Sequence, residues 1–139
     1  MVDKTYIPEG EVPPASQIGA TLEALGATIA ARREADEMSY THRLLTGSVD
    51  GVLKKVMEEA GEVALAAKDA EAAEGAPGRG AILDHLRYEA ADELYHLLVV
   101  LQRYGIAIDE LAAELNTRMG EGERPRGGVL LKPEFVNRG

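Results

Sequence analysis

The sequence predicts an all-α domain, a bundle of four helices with an irregular arm at each end. Three observations carry this. Apolar residues recur at spacings of three and four in four separate segments. Gly, Pro and Ser cluster between those segments and not within a period-two pattern. The one short apolar run outside them, VLLKPEF, contains Pro133, which limits any strand. A chain of 139 residues suits one compact domain. At that length roughly 68–70% of the unfolded surface can be buried, so the fold needs no staples.

The elements follow in order. Residues 1–15 carry Pro8, Pro13 and Pro14 without a helical period, and are expected to form an extended N-terminal arm. Ser16 is a cap residue for a helix over 17–37, in which Ile18, Leu22, Leu25 and Ile29 share one face. Gly19 and Gly26 each weaken that helix by about 1 kcal/mol relative to Ala. SYTHRLLTGS, residues 39–48, reads as a loop or a short helical turn. Asp50 is the expected cap of a second helix reaching residue 73, with Val52, Val56, Val63 and Ala67 as its buried stripe and Ala60 beside them. AEGAPGRG is a turn-rich loop. A third helix over 81–104 is carried by Ile82, Leu86, Leu94, Leu97, Leu98 and Leu101 and stopped by Gly105. A fourth over 108–118 has Leu111 and Leu115 one turn apart. The all-α domain thus spans 16–119, and residues 120–139 form a flexible C-terminal tail that pairs as a strand or docks on a neighbour. The helices are short and Ala-rich with wide apolar stripes, so a homodimer is expected to complete the bundle.

Composition narrows the function. Net charge is −9 and the pI about 4.8, which argues against a basic face for nucleic acid. There is no Trp and only one Phe, so stacking platforms for single strands are lacking. There is no Cys, hence no disulfide framework and no thiolate metal site. The start, MVDKTYIPEGEVPP, is polar and does not read as a secretory signal, and no apolar run approaches a membrane span. A soluble cytoplasmic protein without a membrane partner is the expectation.

Two groups of carboxylates stand out against this background. Glu58, Glu59 and Glu62 lie in KKVMEEAGEVALAAKD, and Glu89, Asp92 and Glu93 in YEAADELYHLLVVL. Both groups sit inside apolar periodic segments. Residues three and four apart share a helix face, and like charges 4 Å apart repel by roughly 4 kcal/mol at an effective dielectric of 20. Two antiparallel helices would bring Glu59, Glu62, Glu89 and Asp92 around one cation-sized gap. An oxygen-only ligand set selects Mg²⁺ or Mn²⁺ over zinc. The alternative is a solvated face, with Lys54–Glu58 and Lys55–Glu59 as helix ion pairs. The residues alone leave both readings open.

Glu58-Glu59-x-x-Glu62, then 26 residues, then Glu89-x-x-Asp92 resembles the EExxE…ExxD signature of the all-α nucleoside triphosphate pyrophosphatases, the MazG-like superfamily. With SYTHRLL, KKVMEEAGEVALAAKD and YEAADELYHLLVVLQRYGI in order, the chain resembles the phosphoribosyl-ATP pyrophosphatase family of histidine biosynthesis over about 20–118. Met57 stands where that family usually has Gly, and Ala107 where it often has a Ser cap. The LKPEF tail is similar to other MazG-like enzymes.

The resemblance implies Mg²⁺-dependent hydrolysis of phosphoribosyl-ATP to phosphoribosyl-AMP and pyrophosphate. It implies that Glu59, Glu62, Glu89 and Asp92 hold the metal. Glu58 would then assist a second ion or accept a proton from the attacking water. Lys55, Lys68 and Arg43 become candidates for phosphate contacts, and Ser39, Tyr40 and Thr41 for the substrate's 5′-phosphate or ribose. Ordinary structural roles stand beside each: ion pairing for Lys55, a solvated end for Lys68, capping for Ser39 and Thr41, packing for Tyr40. His96 reads as a satisfied core histidine or a support for a ligand carboxylate, and His42 as an exposed loop residue. Three other functions compete: a MazG-like house-cleaning pyrophosphatase acting on dUTP or modified nucleotides, a di-iron bundle built on Glu93-x-x-His96, and a non-enzymatic helical interaction module.

Overall fold

A computed structural model describes residues 4–136. The expectations for residues 1–3 of the arm and 137–139 of the tail lie outside the described residues. The described chain is all-helical, with α1 at Gln17–Ala31, α2 at Tyr40–Thr46, α3 at Val49–Ala72, α4 at Arg79–Arg103 and α5 at Ile108–Arg118. Single 3₁₀ turns lie at Arg32–Glu34 and Pro133–Phe135. No strand occurs among the described residues, which fits the all-α class and leaves the strand expected for the tail unformed. No helix among them is long and apolar enough to cross a membrane.

Serine side chains start three of the helices. Ser16 Oγ accepts from the Gly19 amide, Ser39 Oγ from the His42 amide, and Ser48 Oγ from the Asp50 amide. The cap of α3 is therefore Ser48, and Asp50 sits in the first turn, where its charge faces the positive end of the helix. The segment SYTHRLL carries a helix of its own capped by Ser39, which makes five α-helices among the described residues and not four. The first helix also ends earlier than residue 37, passing into the 3₁₀ turn.

α4 ends as expected at Gly105, whose φ is +70°. The Gly105 amide donates to the Gln102 carbonyl and the Ile106 amide to that of Leu101, which is a Schellman closure. α5 lacks a side-chain cap at Ala107, but Glu110 reaches back to accept from the Ala107 amide at 2.7 Å, half of a capping box.

The architecture is an αα-hairpin of α3 and α4 with α1 and α2 laid against it. A six-residue connection, 73–78, turns the chain, and Arg79 Nε donates to the Ala70 carbonyl across the turn. A connection that short makes the two helices antiparallel. The core lies at the open end of the hairpin, where Val52, Leu98 and Val99 meet Ile29 of α1 and Leu44 and Leu45 of α2. Burial of each such side chain contributes about 1.5–3 kcal/mol. Two guanidinium groups tie the layers: Arg33 donates to the Gln102 carbonyl and Arg103 to that of Leu44. Gly26 lets α5 approach α1 closely, since a Cβ there would stand 2.4 Å from Ile108 Cδ1.

The buried stripe of α3 differs from the expected one. Val52, Glu59, Ala66 and Ala70 are buried, Val56 and Val63 half-buried, and Ala60 and Ala67 exposed. The helix is thus turned to bring Glu59 onto the core side. At the ends, Lys4 binds the Asp84 carboxylate at 2.6 Å and so fixes the arm to α4. The tail folds back on α5: buried Asn116 donates to the Val129 carbonyl, and the Leu131 amide donates to Thr117 Oγ1.

Candidate active site

The antiparallel register explains why the two acidic groups meet. Glu59 stands as far before the turn as Asp92 stands after it, and Glu62 pairs in the same way with Glu89. Glu59, Glu89 and Asp92 each offer a carboxylate oxygen, and these atoms lie within 4.8 Å of one another. Glu59 is 8% exposed and Glu89 only 5%. Oε2 of each is buried and has no hydrogen-bond partner among the described residues. Buried carboxylate oxygens without partners are strongly unfavourable unless a cation or proton satisfies them.

Protonation shows the same tension. The Glu89 carboxyl is raised from 4.5 to about 7, first by a shared hydrogen bond with Glu62, then by burial, then by a hydrogen bond with Glu59 and the charges of both neighbours. His85, one turn earlier on α4, brings Nε2 to 3.5 Å from Glu89 Oε1. Three oxygens converging in this way fit a hard divalent cation with open positions for water or phosphate. A bound ion would replace the shared proton and satisfy the two orphaned oxygens.

The other candidate residues distribute around this centre. Glu62 is exposed and reaches the Glu89 carboxyl from the solvent side, outside the tight trio. Glu58 lies outside the trio and is paired with two lysines, 3.4 Å from Lys55 and 3.7 Å from Lys54. Lys55 pairs with Glu58 and not with Glu59, which raises its ammonium pKa, yet its charge is also felt at Tyr40 and Glu59. Lys68 is exposed and has no ion pair among the described residues. Arg43 donates to the carbonyls of Glu37 and Met38, closing the turn before α2. Ser39 is the α2 cap, and Thr41 Oγ1 is bonded to the Tyr95 hydroxyl. His42 is half-buried on α2, with Nδ1 bonded to the Arg32 carbonyl, and so does not lie in a loop.

Tyr40 and His96 connect α2 to the carboxylates. Tyr40 Oη is 2.9 Å from His96 Nε2, and His96 Nδ1 is 2.9 Å from the backbone carbonyl of Asp92. The rings of Tyr40 and Tyr95 both meet the imidazole edge to face. Burial chiefly, together with the nearby carboxylates and against the pull of Lys55, raises the Tyr40 phenol above its ordinary value. Both His96 nitrogens are therefore occupied. A di-iron site needs one of them as a ligand, so the Glu93-x-x-His96 reading does not fit.

The structure adds a contact at His85 and a buried oxygen of Glu93 to what the sequence offers. His85 stands against Glu89, a contact that its spacing of four makes legible. Glu93 Oε2 is a third buried oxygen without a partner among the described residues, next to Asp92 in sequence.

Comparison with known proteins decides the family. The model of the family "Phosphoribosyl-ATP pyrophosphohydrolase" matches residues 22–119. The chain belongs to this family. A phosphoribosyl-ATP pyrophosphatase of Limosilactobacillus fermentum is 43% identical over 100 residues, 71% of this chain and 84% of that one. One from Dechloromonas aromatica is 37% identical over 100 residues, 71% of this chain and 82% of the relative. The histidine biosynthesis bifunctional protein HisIE of Halalkalibacterium halodurans is 46% identical over 101 residues, which are 71% of this chain but only 41% of that protein. Membership in a family of phosphoanhydride hydrolases overturns the reading as a non-enzymatic helical module.

Proposed function

We propose that this protein hydrolyses phosphoribosyl-ATP to phosphoribosyl-AMP and pyrophosphate in histidine biosynthesis, as a cytoplasmic Mg²⁺-dependent enzyme. The observation that carries the metal-dependent chemistry is the trio Glu59, Glu89 and Asp92, with two buried oxygens that no group among the described residues satisfies. The names of the relatives support the substrate. Glu62, hydrogen-bonded to Glu89, completes the ligand set, and Mn²⁺ suits the same oxygens.

Bound Mg²⁺ supplies charge neutralisation for the triphosphate and a water of lowered pKa. The protein's own groups do the rest. The trio fixes where the anhydride between the α- and β-phosphates sits, so that pyrophosphate leaves. Glu58 is the candidate proton acceptor or second-ion ligand, with Lys54 and Lys55 holding its carboxylate. Lys55 places a cation near Glu59 for a phosphate oxygen, and Lys68 and Arg43 extend the positive charge outward. Ser39 and Thr41 line the α2 side.

The deciding experiment is a pyrophosphate-release assay with phosphoribosyl-ATP, dUTP and ATP, each with Mg²⁺ or with EDTA. Turnover of phosphoribosyl-ATP alone, abolished by EDTA, is the expected result. Turnover of dUTP without phosphoribosyl-ATP would assign the house-cleaning activity instead.

A homodimer belongs to the same proposal. Leu53, Met57, Ala60 and Ala64 form an exposed stripe along α3, with Met57 77% exposed and Leu65 beside it 68% exposed. Apolar stripes of this kind cover one another in paired helices. Sedimentation equilibrium is expected to give a dimer for the native chain and a monomer for Met57→Glu. A native chain that sediments as a monomer would remove the dimer from the proposal.

A further inference from the structure

The hydrogen bonds around His96 determine where the Tyr40 proton lies. His96 is 5% exposed, and its Nδ1 faces the Asp92 carbonyl at 2.9 Å. A carbonyl only accepts, so Nδ1 carries the ring hydrogen. In the neutral ring Nε2 is then an acceptor, and the group facing it at 2.9 Å is the Tyr40 hydroxyl. The hydroxyl therefore donates to Nε2. Its proton is committed inward, and only its lone pairs remain for anything that enters the site.

Three contacts hold this arrangement. Tyr40 opens α2 and is aligned by the Ser39 cap. Thr41, the next residue, is bonded to Tyr95, the neighbour of His96 on α4. The carbonyl that orients the imidazole belongs to Asp92, so the phenol is referenced to the backbone of a carboxylate in the trio. The Glu59 and Asp92 charges lie near enough to act on the phenol.

A phosphate oxygen at neutral pH is mostly without a hydrogen to give, since the second ionisation of a phosphate ester lies at about pH 6 and the anhydride phosphates ionise lower still. Two acceptors facing each other repel, so Tyr40 does not bind a phosphate through its hydroxyl. We propose that Tyr40 is a dedicated hydrogen-bond acceptor at the carboxylate trio, held so by His96 as a positioning residue, and that it receives an O–H donor. Two donors have that chemistry: the attacking water and a ribose hydroxyl of the nucleotide. The donor's identity rests on the pyrophosphohydrolase reading. The direction of the Tyr40–His96 bond does not.

Two measurements on the full chain test this. Long-range ¹H–¹⁵N spectra of the ¹⁵N-labelled protein report the His96 tautomer. The Nδ1–H form is expected, which is the minor form of histidine free in water. A His96 carrying its hydrogen on Nε2 would overturn the proposal. The second measurement is the kinetics of Tyr40→Phe, which keeps the ring and loses only the hydroxyl. One neutral hydrogen bond predicts a loss of about five- to tenfold in kcat/KM. A loss in kcat on phosphoribosyl-ATP and on its 2′-deoxyadenosine analogue alike identifies the water. A loss confined to phosphoribosyl-ATP identifies the ribose hydroxyl. Undiminished turnover on both, with a lowered Tm only, would leave Tyr40 a packing residue and sink the acceptor role. A native chain that hydrolyses no nucleotide would sink the pyrophosphohydrolase reading and the donor with it, while the tautomer result still decides the His96–Tyr40 bond.

Discussion

Asp92→Ala and Glu59→Ala are each expected to lower kcat/KM on phosphoribosyl-ATP by on the order of 10³. The size of the effect follows from the geometry. Three carboxylate oxygens within 4.8 Å would act as one ligand set for the proposed ion, and deleting any of them would leave the other two close together around a weaker site. Glu62→Ala also removes the carboxylate that shares a hydrogen bond with Glu89, and belongs to the same group of large losses. Glu58→Ala is expected to be milder than the trio, about tenfold, because its side chain is half-exposed and engaged by Lys54 and Lys55. Steady-state kinetics across a Mg²⁺ titration checks the ranking. The trio variants are expected to require more Mg²⁺ as well as turning over more slowly. Equal losses at Glu58 and Asp92 would single out the proton-acceptor role proposed for Glu58, and a roughly tenfold loss its role beside a second ion. Full activity in both Glu62→Ala and Asp92→Ala would remove the metal centre from this position.

Much of this centre was legible before any coordinates. The spacing of the two acidic groups about the turn at AEGAPGRG already carries the antiparallel register that joins them, and Gly105 marks the end of α4. Other features were hidden for physical reasons. SYTHRLL spans fewer than two turns, too few for a period to declare itself, so its helix rests on the Ser39 cap and on contacts with α4. Ser48 and Asp50 are both competent caps, and sequence does not rank them. The α3 stripe was misplaced because hydropathy assigns charged residues to solvent. The stripe runs through Glu59, a charged residue that hydropathy places in solvent. The roles of Tyr40 and His96 depend on which atoms face each other across two helices, and no pattern along the chain encodes that.

The metal-free protein is expected to lose stability as pH rises, and Mg²⁺ to restore it. Glu89 holds its proton up to about 7 when folded, against an ordinary value of 4.5. Between those values the folded chain binds a proton that the unfolded chain has released. Where the native state binds more protons, stability falls with increasing pH. The decline from this group therefore begins near pH 4.5 and is complete above pH 7. Its cause is the crowding of Glu62 and Glu59 against a buried carboxyl, so it is a property of the empty cluster. A divalent cation competes with that proton, which makes Mg²⁺ bind more weakly at pH 5.5 than at pH 8 and stabilise the fold more at the higher pH. Glu89→Gln removes the ionisation and is expected to raise the metal-free Tm at pH 8, to flatten its pH dependence, and to abolish turnover. This is the stability–activity opposition expected where a site is built from mutually repelling groups. Thermal unfolding at pH 5.5 and pH 8, with EDTA or with Mg²⁺, reads all of these. A Mg²⁺-induced rise in Tm that is equal at both pH values, or that survives Glu89→Gln undiminished, would show that the ion binds without displacing a proton from this cluster.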